Sequence, residues 1–542
     1  SDKGQKEAVK EAEGTAKEDL PLAKYPETVT VHLGGKMNPN AKIPKGMSFE
    51  DNSYTRLLKE NLNIQVVYDW TASTSDYDEK MSLCIGSNTI PEIMNVNATQ
   101  YRALLKYDMI QPLDKYFDDY ASDALKSYVK SGGEELQKCI TNEDGELMAI
   151  PAPNLTAGGV NEMWIRQDWL DALGLDVPRT WDELAEVAKA FVTRDPDGNG
   201  ENDTIGILGP GNSDHMNAVG GNQFGLDPLF SCFQSYPQYW LKSEDGSVEY
   251  GSIQPETKTA LENISKLYAD GVIDPETLVR SDSKEPLLAG KVGIFFGPWW
   301  CAYTFADTTL SGSADWRAYF TPLSEDGKYY THMAEPTTQY VVASKDCKNP
   351  EAAFKIINYL VANEQKWVEE GVTSTEMGTG DFYPLYNTYD NADEIEKSYE
   401  ALTKYLAGDI SMDDVDFSTH KLLKNDMEAV TKLKKKPYDD FSLKYWNLDS
   451  DLAKTNLPRL VAIMVGDAPL VNEEYVPVYN AYNGQTETME AKWANLKKME
   501  EETFAKIIMG KADISEFDTF VKNWKNQGGD QILKEINDEL SK

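Results

Sequence analysis

The stretch RDPDGNGENDTIGI, residues 194–207, spaces its oxygen-bearing side chains as a loop around a hard cation would. Asp195, Asp197 and Asn199 fall at alternate positions. Gly200 supplies a sharp turn, Glu201 offers its backbone carbonyl, and Asp203 follows two residues on. Ca²⁺ takes about six to eight oxygens, and EF-hand loops provide them at this spacing, whereas Mg²⁺ prefers smaller, more hydrated sites. The five residues are therefore read as Ca²⁺ ligands. Gly206 stands where an EF-hand carries its bidentate Glu, so a carbonyl, a water or a remote carboxylate must complete the shell. No helix–loop–helix pair flanks the loop, which makes the ion a structural staple and not a sensor.

A second chemistry sits in KVGIFFGPWWCAY, residues 291–303. Phe295 and Phe296 belong to a predicted strand that Gly297-Pro298 breaks. Trp299 and Trp300 then fall in the turn at a strand's carboxyl end, where open α/β sheets bind ligands. An indole offers a flat apolar face with a polar tip, which suits the C–H face of a pyranose. Hydroxyls then need Asp, Glu, Asn, Gln or Arg around them. Asp69 and Trp70 close the predicted strand IQVVYDW (64–70), and Asn97 ends the next one. Tyr303, Glu335 and Trp446 are further candidates, the last in DDFSLKYWNLDS (439–450). CFQSYPQYW (232–240) reads first as a packed aromatic loop. No nucleophile elbow, P-loop or metal-hydrolase motif occurs, so no catalytic residue is assigned and the chain is not expected to be an enzyme.

The elements that must position these groups are those of an α/β protein. The 542 residues exceed what one core usually serves, which predicts two or more domains. A net charge of −37 argues against nucleic acid and anionic membranes as partners. The five cysteines are scattered, with no CxxC, which excludes a disulfide scaffold or zinc site. No apolar run is long enough to span a bilayer. Residues 1–26 are charged and poor in large apolar side chains, and are read as a flexible tether. From Thr28 the pattern runs β-α-β-α-β, which predicts a parallel sheet. Thr180 and Glu183 frame a capping box for a helix, and Asn349 is the expected cap of another, with Pro350 at its first position.

The collinear segments DYDEKMSLCIGSNTIPEIMNVN, DGELMAIP, MWIRQDWLDALGLDVPRTWDEL, DPDGNGENDTIG, GKVGIFFGPWW and ETFAKIIMGKADISEFDTFVKNW give the chain a family likeness. It resembles the extracellular solute-binding proteins of family 1, in their long LplA-like lipoprotein branch. The resemblance implies a two-lobed, type II periplasmic-binding-protein-like α/β fold with a hinge between discontinuous lobes. It places 27–155 and 336–435 in the N-terminal lobe, and 156–335 and 436–542, with the calcium loop 195–206, in the C-terminal lobe. The third crossing is expected around 430–450. The implied function is capture of an oligosaccharide for an ABC importer of a Gram-positive bacterium. Its partners are the permease subunits, and the protein is a monomer, lipid-anchored on the extracellular face. The alternatives are the same fold holding a peptide or signalling ligand, or a calcium-dependent carbohydrate-active enzyme. Relatives carry an acidic residue directly after the last Asp of the loop, where this chain has Thr204.

Overall fold

The computed structural model describes residues 7–211, 223–311, 314–369, 378–433 and 446–541. The chain is a mixed α/β protein of two compact units, each assembled from separate chain segments. The first comprises Ser1–Asn154 and Pro336–Ala392, the second Leu155–Glu335 and Asp393–Lys542.

In the first unit, the strands Val29–Met37 and Ile64–Ser73 pair in parallel from Val29↔Ile64. Val29, Val31 and Leu33 alternate inward, as their spacing requires. The second strand does not stop at Trp70, where the sequence placed its end, but continues to Ser73. The register jumps there, since Leu33 faces Tyr68 and Gly34 faces Trp70. Asp69 is thus the extra residue of a bulge. Gly34 has to be glycine, because a Cβ would approach the Trp70 ring to 2.5 Å. The third strand, Ile93–Val96, departs from the predicted parallel sheet. It pairs antiparallel with Thr337–Ala343, which also pairs antiparallel with Ile150–Pro153. A strand from far along the chain thus completes the unit.

The expected tether is also corrected. Residues 9–25 pack against the helix Glu351–Glu369, whose first eight positions are all buried. Lys355 is fully buried, with its ammonium 2.6 Å from Glu11, bonded to the Ala23 carbonyl and 4.1 Å above the Tyr25 ring. Asn358 donates to the carbonyls of Pro21 and Tyr120. Asn349 does not cap the helix. Its side chain exchanges two hydrogen bonds with the backbone of Val9, at 3.1 and 2.9 Å. A buried lysine needs these partners, because an ammonium without them bears a large desolvation cost.

The second unit is built on one four-stranded sheet, in the order Trp316–Tyr319, Glu162–Arg166, Val292–Gly297, Ile205–Leu208. Trp164, Phe295 and Leu208 point into one core, and Met163, Ile294, Phe296 and Ile207 into the other. On the first face pack the helices Glu394–Ala407, Leu423–Leu433 and Asp451–Val461, through Tyr399, Leu402, Met427, Val430 and Leu460. Residues 393–433 therefore share a core with the second unit and not with the first. The expected crossing at 430–450 moves to Ala392, while 434–445 lies outside the described residues. The other face holds the helices Trp181–Thr193, Pro255–Ala269, Glu487–Ile508 and Glu516–Trp524. Trp524 is fully buried and stacks on Tyr250 at 4.7 Å.

Lys355→Ala should lower the stability of the first unit by roughly 3 kcal/mol, since it strands the buried Glu11 carboxylate. Thermal denaturation with limited proteolysis checks this. The N-terminal segment should be cut first in the variant, and equal protection in both proteins would contradict the assignment.

Candidate functional site

The strands Ile205–Leu208 and Val292–Gly297 run parallel, with Leu208 opposite Phe295, so that the second runs two residues further at the same end. The antiparallel strand Glu162–Arg166 begins at that same end, with Glu162 opposite Gly297. Three segments therefore converge there: Asn161-Glu162, the Gly297-Pro298 turn, and the short 3-10 turn Trp299–Cys301. The Trp164 indole donates to the Pro298 carbonyl at 3.3 Å, which pins the turn. Gly466 lets a neighbouring helical segment close on it, since a Cβ there would lie 2.6 Å from the Trp299 carbonyl. Trp299 is buried, and its indole N–H has no hydrogen-bond partner. Trp300 is partly buried against the same cluster. Tyr303 follows on the helix Ala302–Leu310 and is 48 % exposed.

The other predicted residues divide. Asp69 is exposed, with a carboxylate oxygen 2.7 Å from His32 Nδ1. Trp70 is half-buried in the first unit, packed on Tyr77 at 5.4 Å, with its indole N–H buried and unpartnered. The side-chain oxygen of Asn97 accepts from the Gln100 N–H, capping the helix Ala98–Lys106, which leaves only its amide N–H groups for other work. Trp446 is 6 % exposed inside the second unit's core, so it offers little ring face to a ligand. Glu335 lines a cavity of the second unit together with Trp240 and Trp493.

Sequence reasoning missed three carboxyls. Glu162 and Asp467 are fully buried, and none of their four oxygens has a hydrogen-bond partner. Both oxygens of Glu396 are likewise buried and unpartnered. Burial, reinforced by the Asp467 carboxyl, pushes Glu162 well above the usual carboxylate range. Burial and Glu396 do the same to Asp467, and burial pushes Glu396 up to about 7. Protonated acids can donate as well as accept, which unprotonated carboxylates cannot. The available signal was a lone acid inside an apolar run, as in VNEMWI and AIMVGDAPLV. Nearby, His332 Nε2 stands 3.2 Å from Asp227, and burial pushes the imidazole down to about 3, so it is neutral. Asn161 donates to Asp227, and the Tyr329 hydroxyl donates to the Asn161 carbonyl.

The loop 195–206 is a tight turn, with Asp195, Gly198 and Gly200 at positive φ. Asp195 Oδ2 accepts from the Gly200 N–H at 3.0 Å, while Oδ1 is buried without a partner. Thr204 donates to the Phe191 carbonyl, tying the loop to its preceding helix. Lys291 places its ammonium 2.6 Å from Asp203 and 3.5 Å from Asp197. This contact holds the Asp203 carboxyl below its usual range. The oxygens suit Ca²⁺ in kind, and the orphaned Asp195 oxygen lacks a partner. As arranged, however, a lysine holds two of the carboxylates. Among the described residues no three His, Cys, Asp or Glu side chains converge to hold a metal.

Comparison with known proteins decides the family. Residues 42–367, more than half of the chain, match the family described as bacterial extracellular solute-binding protein. The chain belongs to that family. A fructooligosaccharide ABC transporter substrate-binding protein of Streptococcus pneumoniae, FusA, is 30% identical over 259 residues. That alignment covers 44% of this chain and 45% of FusA, so the match spans less than half of that relative's length. A polygalacturonan/rhamnogalacturonan-binding protein of Bacillus subtilis, YtcQ, is 23% identical over 92% of each chain. Among solved structures, an HMO-binding, ABC-transporter-associated solute-binding protein of Bifidobacterium longum infantis superposes with a TM-score of 0.54. It is 18% identical, and the match covers 94% of this chain and 98% of that one. A second extracellular solute-binding protein from Bifidobacterium longum subsp. infantis gives 0.52 at 19% identity, covering 95% and 99%. Both likenesses show the shared fold. One solved FusA structure is described as an EF-hand mutant. No helix among the described residues is long and apolar enough to cross a membrane.

Glu396→Gln should stabilise the protein above neutrality. The folded-state pKa of Glu396 is raised, so the unfolded chain loses its proton first. The resulting penalty grows from about pH 4.5 to pH 7 and is constant above that. The variant should match the parent near pH 4.5 and exceed it by on the order of 2–3 kcal/mol at pH 8. Melting curves across that range check the sign. A difference independent of pH would show that the carboxyl is not the cause.

Proposed function

We propose that this family member is the solute-binding component of an ABC importer and captures a neutral oligosaccharide outside the cell without altering it. The observation that carries the reading is the Trp299-Trp300 turn at the carboxyl end of two parallel strands, with a buried indole N–H that lacks an acceptor. The partly buried ring of Trp300 supplies an indole face and Trp299 an unused donor, beside the acids Glu162 and Asp467, and these are the two halves of sugar recognition. The names of both relatives described above specify a carbohydrate, a fructooligosaccharide for FusA and a polyuronate for YtcQ, which supports sugar binding and leaves its neutrality to the charge argument. Trp300 and Tyr303 are the further candidate contacts in the second unit, and Trp70, Asp69 and Asn97 are the candidates carried by the first. Family membership supports an extracellular place, and a relative named lipoprotein LipO supports lipid anchoring. The acidic net charge favours a neutral glycan over a uronate. Binding of a peptide or signalling molecule is the competing reading.

Calorimetry with fructo-, malto- and galacturono-oligosaccharides, followed by chromatography of the recovered sugar, tests this. Saturable binding of a neutral oligosaccharide, with the sugar returned intact, is expected. Trp300→Ala should weaken binding by about ten-fold or more. If Trp299→Ala and Trp300→Ala both leave binding unchanged, the turn is not the site. Released fragments would mean an enzyme.

Calcium belongs to the same reading as a staple of the loop, held by Asp195, Asp197, Asn199, the Glu201 carbonyl and Asp203. Lys291 occupies the place of the positive charge and has to leave. Added Ca²⁺ should raise the melting temperature, and Lys291→Ala should tighten Ca²⁺ binding by about ten-fold because a competing cation is gone. A melting temperature insensitive to Ca²⁺ in both proteins would remove calcium from the reading.

A further inference from the structure

A cavity of about 360 Å³ lies wholly within the second unit, lined in part by Gln238, Trp240, Glu335, Asn480, Asn483 and Trp493. Its aromatic wall belongs to the core on the sheet face opposite the one that holds Trp299. Trp240 and Trp493 lie 5.5 Å apart, with their ring planes 38° from parallel. Trp240 is anchored from behind by Tyr250, at 4.7 Å, and the Tyr250 hydroxyl donates to the buried Glu500 at 2.7 Å. Glu500 also holds the Gln238 side chain. The wall is therefore rigid, and Trp493, only partly buried, presents ring surface to the cavity.

The polar groups are chiefly amides. Asn480 Oδ1 accepts from the backbone N–H of Trp240 at 2.9 Å, so the end left to a ligand is its donor. Asn483 Oδ1 is buried and has no hydrogen-bond partner, which is costly unless a donor arrives. Glu335 and Lys497 bring one charge of each sign, and the lining has no net charge. One partly exposed indole backed by a second, fixed amides and charge balance match a neutral, hydroxyl-rich ring better than an anion or an aliphatic chain.

We propose that this cavity is a second carbohydrate subsite, which takes one neutral hexopyranose by stacking on Trp493 and hydrogen bonding to Asn480 and Asn483. It rests on the reading of the chain as a carbohydrate binder, but on none of the residues of the Trp299 turn.

Tryptophan fluorescence and ligand-observed NMR with D-glucose, D-galactose, N-acetyl-D-glucosamine and D-galacturonate test it, on the full chain. Saturable millimolar binding of at least one neutral sugar is expected, with galacturonate weaker. Trp493→Ala and Asn483→Ala should each weaken it by about ten-fold, and Trp493→Phe should restore most of it. Trp300→Ala should leave it unchanged. The subsite is overturned if no neutral sugar saturates, if galacturonate binds best, or if both folded variants bind as the parent does. It is also overturned if Trp300→Ala removes the monosaccharide signal. Loss of oligosaccharide binding alone in Trp300→Ala, with the monosaccharide signal intact, separates the two sites. A parent that binds no oligosaccharide but binds hexose through Trp493 would defeat the larger reading and keep this one.

Discussion

A sheet covered on both faces has no neutral side. Every residue of Glu162–Arg166 in the second unit is buried, so each side chain must belong to one of two cores. Met163 and Ile165 go one way and Trp164 the other. Glu162, at the first position, obeys the same constraint although it is an acid. The strand cannot start elsewhere without turning Trp164 away from Phe295 and Pro298. A one-residue slip would exchange the two faces along the whole strand. The position of the Trp299 turn, the burial of the acid beside it and the separation of two aromatic regions all descend from this register.

Much of this was legible because the governing signals are local. Strand alternation from Val29 to Leu33 and the Thr180 cap need only near neighbours in sequence. The pairing of Ile93–Val96 with Thr337–Ala343 could not be read in that way. Two strands some 240 residues apart carry no mark of each other, and the opening β-α-β-α-β pattern favoured a parallel neighbour. The third crossing was misplaced for a related reason. Amphipathic helices such as Leu423–Leu433 show which face is buried, but not which core receives it. At the site, the paired tryptophans announced themselves by composition. Glu162, Glu396 and Asp467 did not, because a carboxyl is presumed to be solvated until its surroundings are known.

The calcium loop and the N-terminal segment both show how counter-charges from elsewhere in the chain bear on charge reading. In the loop, sequence spacing anticipated an external cation, and the fold also brings Lys291, just ahead of the neighbouring strand Val292–Gly297, to two of the same carboxylates. In the N-terminal segment, a high density of charge suggested a chain left in water. There Lys355 draws Glu11 inward, and the aromatic rings of Tyr25 and Tyr120 complete its surroundings. Charge content predicts solvation only where no buried counter-charge waits.

That clasp has a mechanical meaning. Asn349 and Lys355 grip the chain at Val9, Glu11 and Ala23, and they sit at the start of a helix that follows directly on the central strand Thr337–Ala343. A pull applied ahead of Val9 would not first unravel a slack leader. It would load several polar contacts in shear at once and pass the force straight to the middle of a sheet.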